Sequence, residues 1–289
     1  YERAVSAAVD PIEKKPFFHF LPGSSAFSVA TVGCNFRCLH CQNWQIAQLP
    51  RDRDGEIEGE ALPCREIVAL AARHGCASIS YTYTEPTVFI EYALDTAALA
   101  KRGGIRNSFV TNGYMTPEAI ELLAPVLDAA NVDLKGFDKE RTRRRTGAGI
   151  EPVKRNIRLM REKGIWVEVT TLVIPTENDS DEELTAIARF LASVDPGIPW
   201  HVSAFYPTYR MANLPPTPVD SIRRACRIGR EAGLRYVYGG NVPGDESGNT
   251  SCHACGAALI ARRGFQVREN RLRNGACPDC GARIDGVFA

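Results

Sequence analysis

The feature that most restricts how this chain can fold is an alternation of strand-like and helix-like segments from residue 27 to about residue 240. Strand candidates fall at 27–33, 77–83, 107–112, 131–135, 165–174 and 199–205. Each is short, rich in β-branched or aromatic residues, and bounded by Gly, Pro or polar residues. Helical patterns fill the gaps at 64–74, 87–102, 117–129, 151–163, 180–194 and 218–232. Thr116, Pro117 and Glu118 read as N-cap, first-turn proline and first-turn acid. Gly164 and Gly233 close two other helices. Strand–helix repeats of this kind demand a parallel sheet with helices outside. Six units fall short of a closed eight-unit barrel. The sequence therefore predicts an α/β fold, a partial (β/α)6 barrel with its chemistry at the C-terminal ends of the strands. Residues 1–26 are expected to be an arm packing on the barrel, 27–240 the barrel, 241–250 a linker dense in Gly, Asn, Pro and Ser, and 251–289 a separate small module.

A net charge of +1 gives no whole-chain field for nucleic acid or an acidic membrane surface. No apolar run approaches about 18 residues, so no membrane-spanning helix is expected. The chain opens at Tyr1 rather than Met, so upstream residues are expected to exist. Ten cysteines is a high count, and seven of them fall in three tight clusters. Clustering suits metal better than disulfides and points to a reducing, cytoplasmic setting. Cys64, Cys76 and Cys226 stand alone and read as buried small hydrophobes.

The first strand candidate runs into G-C-N-F-R-C-L-H-C-Q-N-W, which is C-x3-C-x2-C at Cys34, Cys38 and Cys41. Three thiolates wrap three irons of a cubane and leave the fourth iron open to a small ligand, whereas four-cysteine clusters are coordinatively closed. The competing reading is a zinc site with His40 as fourth ligand, although zinc knuckles favour paired C-x2-C units.

With this motif the chain resembles radical S-adenosylmethionine (SAM) enzymes, and more closely their pyruvate-formate-lyase-activating-enzyme-like branch. It is most similar to the AmmeMemoRadiSam-system radical SAM family. The stretches that carry the resemblance include D-P-I-E-K-K-P (10–16), H-F-L-P-G-S (19–24), Y-T-E-P-T (83–87), V-T-N-G-Y (110–114), V-D-L-K (132–135), T-T-L-V-I-P (170–175), W-H-V-S-A-F-Y-P (200–207) and Y-V-Y-G-G-N (236–241). The resemblance implies a [4Fe–4S] cluster on the three cysteines, whose open iron takes the amino and carboxylate groups of SAM. It places His40 near adenine. It puts Thr84 and Glu85 at the family's Gly-Gly-Glu position, with Glu85 holding the SAM ammonium and with Tyr83 and Thr84 in place of the glycines. Thr111 and Asn112 match the segment lining the SAM site. Val110 stands where activases often carry an Asp for a monovalent cation, while Asp133-Leu134-Lys135 keeps the D-x-K pattern.

Alternate residues of a strand share a face. Asp133 and Lys135 therefore share one face of the fourth strand, Glu168 and Thr170 one of the fifth, and His201 and Ser203 one of the sixth. Polar residues there fit a wet, ligand-holding lumen, in which Asp133, Lys135, Glu168 and His201 are candidate catalytic groups and Ser203 a cofactor contact. The alternative is that Asp133 with Lys135, and Glu168 with His201, are buried pairs satisfying one another. The run R-T-R-R-R at 141–145 reads as a solvated basic face, or else as a dock for an acidic partner. His19 reads as a satisfied histidine, and His74 as a helix-end charge.

Cys252-x2-Cys255-Gly and Cys277-x2-Cys280-Gly are two knuckles that together make a tetrahedral four-cysteine site. The segment between them suits a β-hairpin. So small a module cannot build a sufficient core, and metal-driven folding is expected. A zinc ribbon is the first expectation, rubredoxin-type mononuclear iron the second and an auxiliary iron–sulfur cluster the third.

The implied reaction is reductive cleavage of SAM to a 5′-deoxyadenosyl radical that abstracts hydrogen from a small-molecule substrate. The alternatives are a glycyl-radical activase acting on a partner protein, and a non-enzymatic electron carrier or scaffold. The resemblance also implies a one-electron donor of flavodoxin or ferredoxin type, and partnership with Memo-like and AMMECR-type proteins.

Overall fold

All six expected strands form, and the sheet has two more that the sequence pattern conceals. The computed structural model describes residues 1–242, 244 and 247–288. The strands are β1 (Ser6–Pro11), β2 (Ser25–Ala30), β3 (Ser78–Tyr81), β4 (Arg106–Thr111), β5 (Ala129–Asp133), β6 (Trp166–Val173), β7 (Trp200–Ala204) and β8 (Val237–Gly240). The spatial order is β8-β7-β6-β5-β4-β3-β2-β1. Every neighbouring pair is parallel except β1 and β2, which run antiparallel. The segment expected as an arm thus contributes an edge strand, and the count of six parallel strands rises to seven.

The longer helices are α1 (Cys64–Arg73), α2 (Ile90–Arg102), α3 (Pro117–Leu123), α4 (Lys139–Thr146), α5 (Glu151–Glu162), α6 (Asp181–Val194) and α7 (Val219–Glu231). Helix α3 stops short of the expected residue 129: Ala124 is still helical, at φ −51° and ψ −37°, but Pro125 has no N–H with which to continue the helical ladder. Helix α4 carries the arginine run. Asp138 caps it by accepting from Arg141 N at 2.8 Å. The reading of that run as a solvated face fails for Arg145, whose side chain is only 2% exposed. Cys64, Cys76 and Cys226 are buried, as expected.

The two faces of the sheet differ in chemistry. The outer face is aliphatic and aromatic (Ile79, Phe109, Val132, Val167, Val169) and packs on the helices. The inner face is built of Ser28, Ser80, Ser108, Ala129, Asn131 and Glu168, all fully buried. Residues 12–20, between β1 and β2, explain this difference. They cross the inner face as a plug, with Ile12, Phe17 and Phe20 packed on Ala26, Ala129 and Trp166. Plug backbone meets inner-face side chains: Asn131 Nδ2 donates to Pro16 O at 2.7 Å, and Glu168 accepts from Phe18 N at 2.9 Å and His19 N at 2.8 Å.

The four-cysteine segment forms a three-stranded antiparallel sheet of β9 (Thr250–Ser251), β10 (Ala258–Arg263) and β11 (Gln266–Asn270). It packs on the plug. Leu259, Ile260 and Ile284 share a cluster with Phe18, Tyr236 and Tyr238. Arg262, 1% exposed, donates to Phe18 O at 2.7 Å, lies 4.3 Å from the Phe18 ring and faces Glu13 at 3.7 Å. His19 is fully buried between Tyr238 Oη and Asp285 O, each at 2.5 Å. Its burial pulls it down to about 4, so it stays neutral and structural.

Candidate active site

The cysteine loop leaves the C-terminal end of β2 through Gly33, whose φ of +99° is a backbone that side chains rarely adopt. Hydrogen bonds from two sides fix the loop. Gln48 Nε2 and Arg51 Nη1 donate to Phe36 O at 3.2 and 2.9 Å, and Arg51 Nη2 donates to Cys34 O at 2.7 Å. From the other side, Arg37 N and Leu39 N donate to Thr146 O and Arg145 O at 2.8 and 2.9 Å. The carbonyls at the end of α4 therefore brace the loop, a role that the run's charge gives no hint of.

Cys34, Cys38 and Cys41 all line one cavity of about 490 Å³. Burial pushes the Cys34 thiol up to about 12 and the Cys38 thiol up to about 11, so both are protonated until a cation draws the proton off. Three soft thiols lining one cavity suit an iron–sulfur cluster with one open iron.

His40, Thr84, Glu85, Thr111, Asn112, Asp133, Lys135, His201 and Ser203 line the same cavity. Glu85 sits at the turn after β3 and is 1% exposed. It accepts from Thr87 N at 3.1 Å, Thr87 Oγ1 at 2.6 Å, Thr111 Oγ1 at 2.7 Å and Asn112 N at 2.8 Å. These partners are all neutral. Burial pushes its pKa up, and the donors from Thr87, Asn112 and Thr111 only oppose that shift. A cationic ligand would restore the ionised form. Gly113, which follows Thr111 and Asn112, has φ +68°, and a Cβ there would meet Val132 Cγ1 at 2.7 Å. Only glycine fits behind this pair.

Tyr83 has a left-handed backbone, φ +65°, where glycine is at ease and tyrosine is strained. Its hydroxyl reaches across the inner face to donate to Asp10 Oδ2 at 2.5 Å. Tyr83 thus holds a backbone that glycine adopts freely and adds a tether to Asp10. Thr84 Oγ1 donates to Thr31 O at 2.8 Å. Asn112 Nδ2 donates to Asn35 Oδ1 at 2.6 Å, linking the third parallel strand to the cysteine loop. Asp133 and Lys135 pair at 2.8 Å. Burial opposes the Lys135 charge, but Asp133 and Cys38 beside it hold the pKa above the ordinary value. Both ring nitrogens of His40 are buried and lack a hydrogen-bond partner among the described residues. Burial, reinforced by Lys135 and Arg145, keeps that ring neutral.

Glu168 does not line the cavity. It is fully buried, and it accepts from Phe18 N, His19 N, Trp166 Nε1 at 3.1 Å and His201 Nε2 at 2.7 Å. The expectation of Glu168 in a wet lumen gives way to the buried-pair alternative, because the plug fills that level of the barrel. His201 keeps one edge on the cavity. The sequence reading misses Lys15, Phe18 and Phe265, which also line it. The signal for Lys15 was present in D-P-I-E-K-K-P; Phe265 is at the tip of the β10–β11 hairpin, and nothing local points it at the barrel.

In the second centre, Cys252 and Cys280 sulfurs lie 3.7 Å apart, and Cys255 and Cys277 sulfurs 3.8 Å apart. All four lie within 4.8 Å of one another. A tetrahedral metal with bonds of about 2.3 Å to sulfur sets an edge of roughly 3.8 Å. The site therefore suits one metal ion rather than a multi-iron cluster.

Among known proteins, the chain is 44% identical over 291 residues to the uncharacterized protein MJ0808 of Methanocaldococcus jannaschii, covering 100% of this chain and 86% of that one. It is 22% identical over 195 residues to a pyruvate formate-lyase-activating enzyme of Listeria monocytogenes, covering 62% of this chain and 77% of that enzyme. The fold is similar to that of Streptococcus suis SuiB bound to S-adenosylmethionine, at a TM-score of 0.58 and 15% identity, over 79% of this chain and 52% of SuiB. The Radical SAM superfamily model matches residues 28–190, more than half of the chain and the part that holds the cysteine loop, Glu85, Asn112 and Lys135. This protein belongs to the radical SAM superfamily.

Proposed function

We propose that the chain binds a [4Fe–4S] cluster on Cys34, Cys38 and Cys41 and SAM in the cavity beside it, and uses the resulting radical on a small-molecule substrate. Bound there, the cluster supplies the electron that breaks the sulfonium C–S bond. The observation that carries the reading is Glu85, a buried carboxylate with only neutral partners, in one cavity with the three thiols. Glu85 takes the SAM ammonium, His40 faces the adenine, and Asn112 holds the cysteine loop in register with both. Lys14 of the plug and Phe265 of the hairpin tip join the cavity lining, which we take to favour a small substrate. The likeness to an activating enzyme favours the second reading, hydrogen abstraction from a backbone glycine of a partner protein. From the resemblance of the strings at 10–16, 19–24 and 200–207 we also infer the AmmeMemoRadiSam-system branch, with Memo-like and AMMECR-type partners, and we read the metal of the four-cysteine site as zinc.

Anaerobic reconstitution is expected to load about four irons at the N-terminal site. Cys34→Ala, Cys38→Ala and Cys41→Ala each abolish deoxyadenosine formation with dithionite, and a variant lacking all three that still cleaves SAM reductively sinks the proposal. Offering the enzyme the flow-through and the retentate of an ultrafiltered extract from cells lacking it separates the two substrate classes. Stimulation of deoxyadenosine by the flow-through alone is the expected result.

A second prediction isolates Glu85. Glu85→Gln weakens SAM binding by roughly 1.5–3 kcal/mol, the worth of a charge-assisted hydrogen bond. Thr111→Val removes one of its neutral donors and keeps its charge, so it lowers the melting temperature with a smaller loss of SAM affinity. Equal calorimetric affinities for wild type and Glu85→Gln remove Glu85 from the site.

A further inference from the structure

The plug side of the cavity holds a cation that the reading above leaves without a task. Lys15 lines the cavity, yet its side chain is only 2% exposed. Its Nζ lies 2.7 Å from Asp10 Oδ2 and 4.0 Å from the centroid of the Tyr83 ring. Asp10 is shared among several donors. It also accepts from Lys14 Nζ at 2.7 Å, Ser28 Oγ at 2.8 Å and Tyr83 Oη at 2.5 Å. Two ammonium groups therefore lean on one carboxylate.

The other carboxylates of the cavity are already committed. Asp133 faces Lys135, Glu13 faces Arg262 and Gly23 N, and Glu85, whose four donors are neutral, is assigned above to the SAM ammonium. This wall thus carries an uncompensated positive charge. An ammonium has three N–H donors. Among the described residues, Asp10 is the one carboxylate recorded against Lys15, and the Tyr83 ring takes a second direction. Burial pulls Lys15 down to about 8 despite the opposing pull of Asp10. A second anion beside it would offset that desolvation.

The site is also held in place from several sides. Asp10 pairs in β1 against Ala26 of β2, Tyr83 reaches in from the turn after β3, and Asn131 of β5 holds Pro16, the residue next to Lys15. A lysine needed only to neutralise Asp10 would duplicate Lys14, which already does so at the same distance.

We propose that Lys15 is the anion-recognition residue of the substrate subsite: the substrate carries a carboxylate or phosphate group that docks on Lys15, with Lys14 at its edge. This rests on the proposed function in placing the substrate in the same cavity as SAM.

The test uses the reconstituted holoenzyme with SAM bound, titrated by calorimetry with inorganic phosphate and, separately, with malonate. One of the two binds at one per chain, and which one binds assigns the group. Lys15→Met weakens that binding by at least about tenfold, a charge-assisted contact being lost. Lys14→Met weakens it by only about two- to threefold, as an exposed charge does. SAM affinity stays unchanged in Lys15→Met. In wild type, reductive methylation of Lys15, mapped by mass spectrometry, slows at least about tenfold when the anion is present. That measurement decides the question if Lys15→Met fails to fold. Neither anion protecting Lys15, or folded Lys15→Met binding as tightly as wild type, overturns the inference. Protection measured again without SAM separates the two readings: protection that persists in a protein unable to bind SAM supports the anion site and sinks the SAM site.

Discussion

Cys277→Ser is expected to lose one metal ion per chain, to unfold residues 250–288 and to loosen residues 12–20 as well. The apparent binding energy of structural zinc in finger peptides is about 10–16 kcal/mol, and in so small a module it is the folding energy. The four sulfurs already stand at the spacing of a single tetrahedral metal. The four-cysteine segment is no free appendage. Its Arg262 holds Phe18 O and faces Glu13, and its Val287 N donates to His19 O at 2.7 Å. Withdrawing Arg262 leaves Glu13 buried without its cation, and breaking a buried pair costs about 3–5 kcal/mol. Hydrogen exchange followed by mass spectrometry reads both regions, and elemental analysis reads the metal. Protection of residues 12–20 that matches wild type would show that the ribbon and plug are independent. A second paramagnetic cluster in reduced wild type, lost in Cys277→Ser, would replace the single-metal assignment with an auxiliary redox centre.

The second large effect belongs to Glu168. Glu168→Leu strips the acceptor from four buried donors, two of them on the plug backbone. A loss of about 3–5 kcal/mol is expected, or roughly 5–8 °C in melting temperature for a chain of this size. Burial alone would raise the Glu168 pKa, but the His201 hydrogen bond and charge, with lesser help from the Phe18 N donor, hold it below the usual carboxylate range. Its ionised form is therefore worth more folded than unfolded. That contribution is complete above the unfolded carboxylate pKa of about 4.3 and is lost as the pH falls below it toward the lower folded value. The gap between wild type and Glu168→Leu in urea unfolding should narrow between pH 5 and the acid limit of reversible unfolding, a window that follows from those pKa values. A gap independent of pH would assign the loss to packing alone.

The parts of this molecule that were legible in its sequence are those whose signal is local. Strands such as 165–174 announce themselves by β-branched runs, and the cysteine spacing names its own chemistry. The strand Ser6–Pro11 is half alanine and proline and the strand Val237–Gly240 half glycine, so neither shows strand propensity; both form because a neighbouring strand offers its edge. Helix Lys139–Thr146 has no apolar periodicity to detect, and its burial of Arg145 depends on Lys135 O and Glu177. The polar faces of β5, β6 and β7 were correctly read as pointing into the barrel. What they meet there was not readable, because Glu168 is answered by residues 149 and 150 positions away.

That distance bears on the order in which the chain assembles. Sheet order follows sequence order from β1 to β8, so each strand can dock on the one made before it. Residues 12–20 cannot settle until Glu168 exists, and the last fastening, Val287 N to His19 O, spans 268 positions. Non-local contacts of this kind form late and slowly. At a synthesis rate of about 5–20 residues per second, the barrel waits many seconds with its inner face open. A wall of leucine and valine would be an aggregation hazard for that whole interval. A wall of Ser28, Ser80, Ser108 and Asn131 tolerates water until the plug arrives.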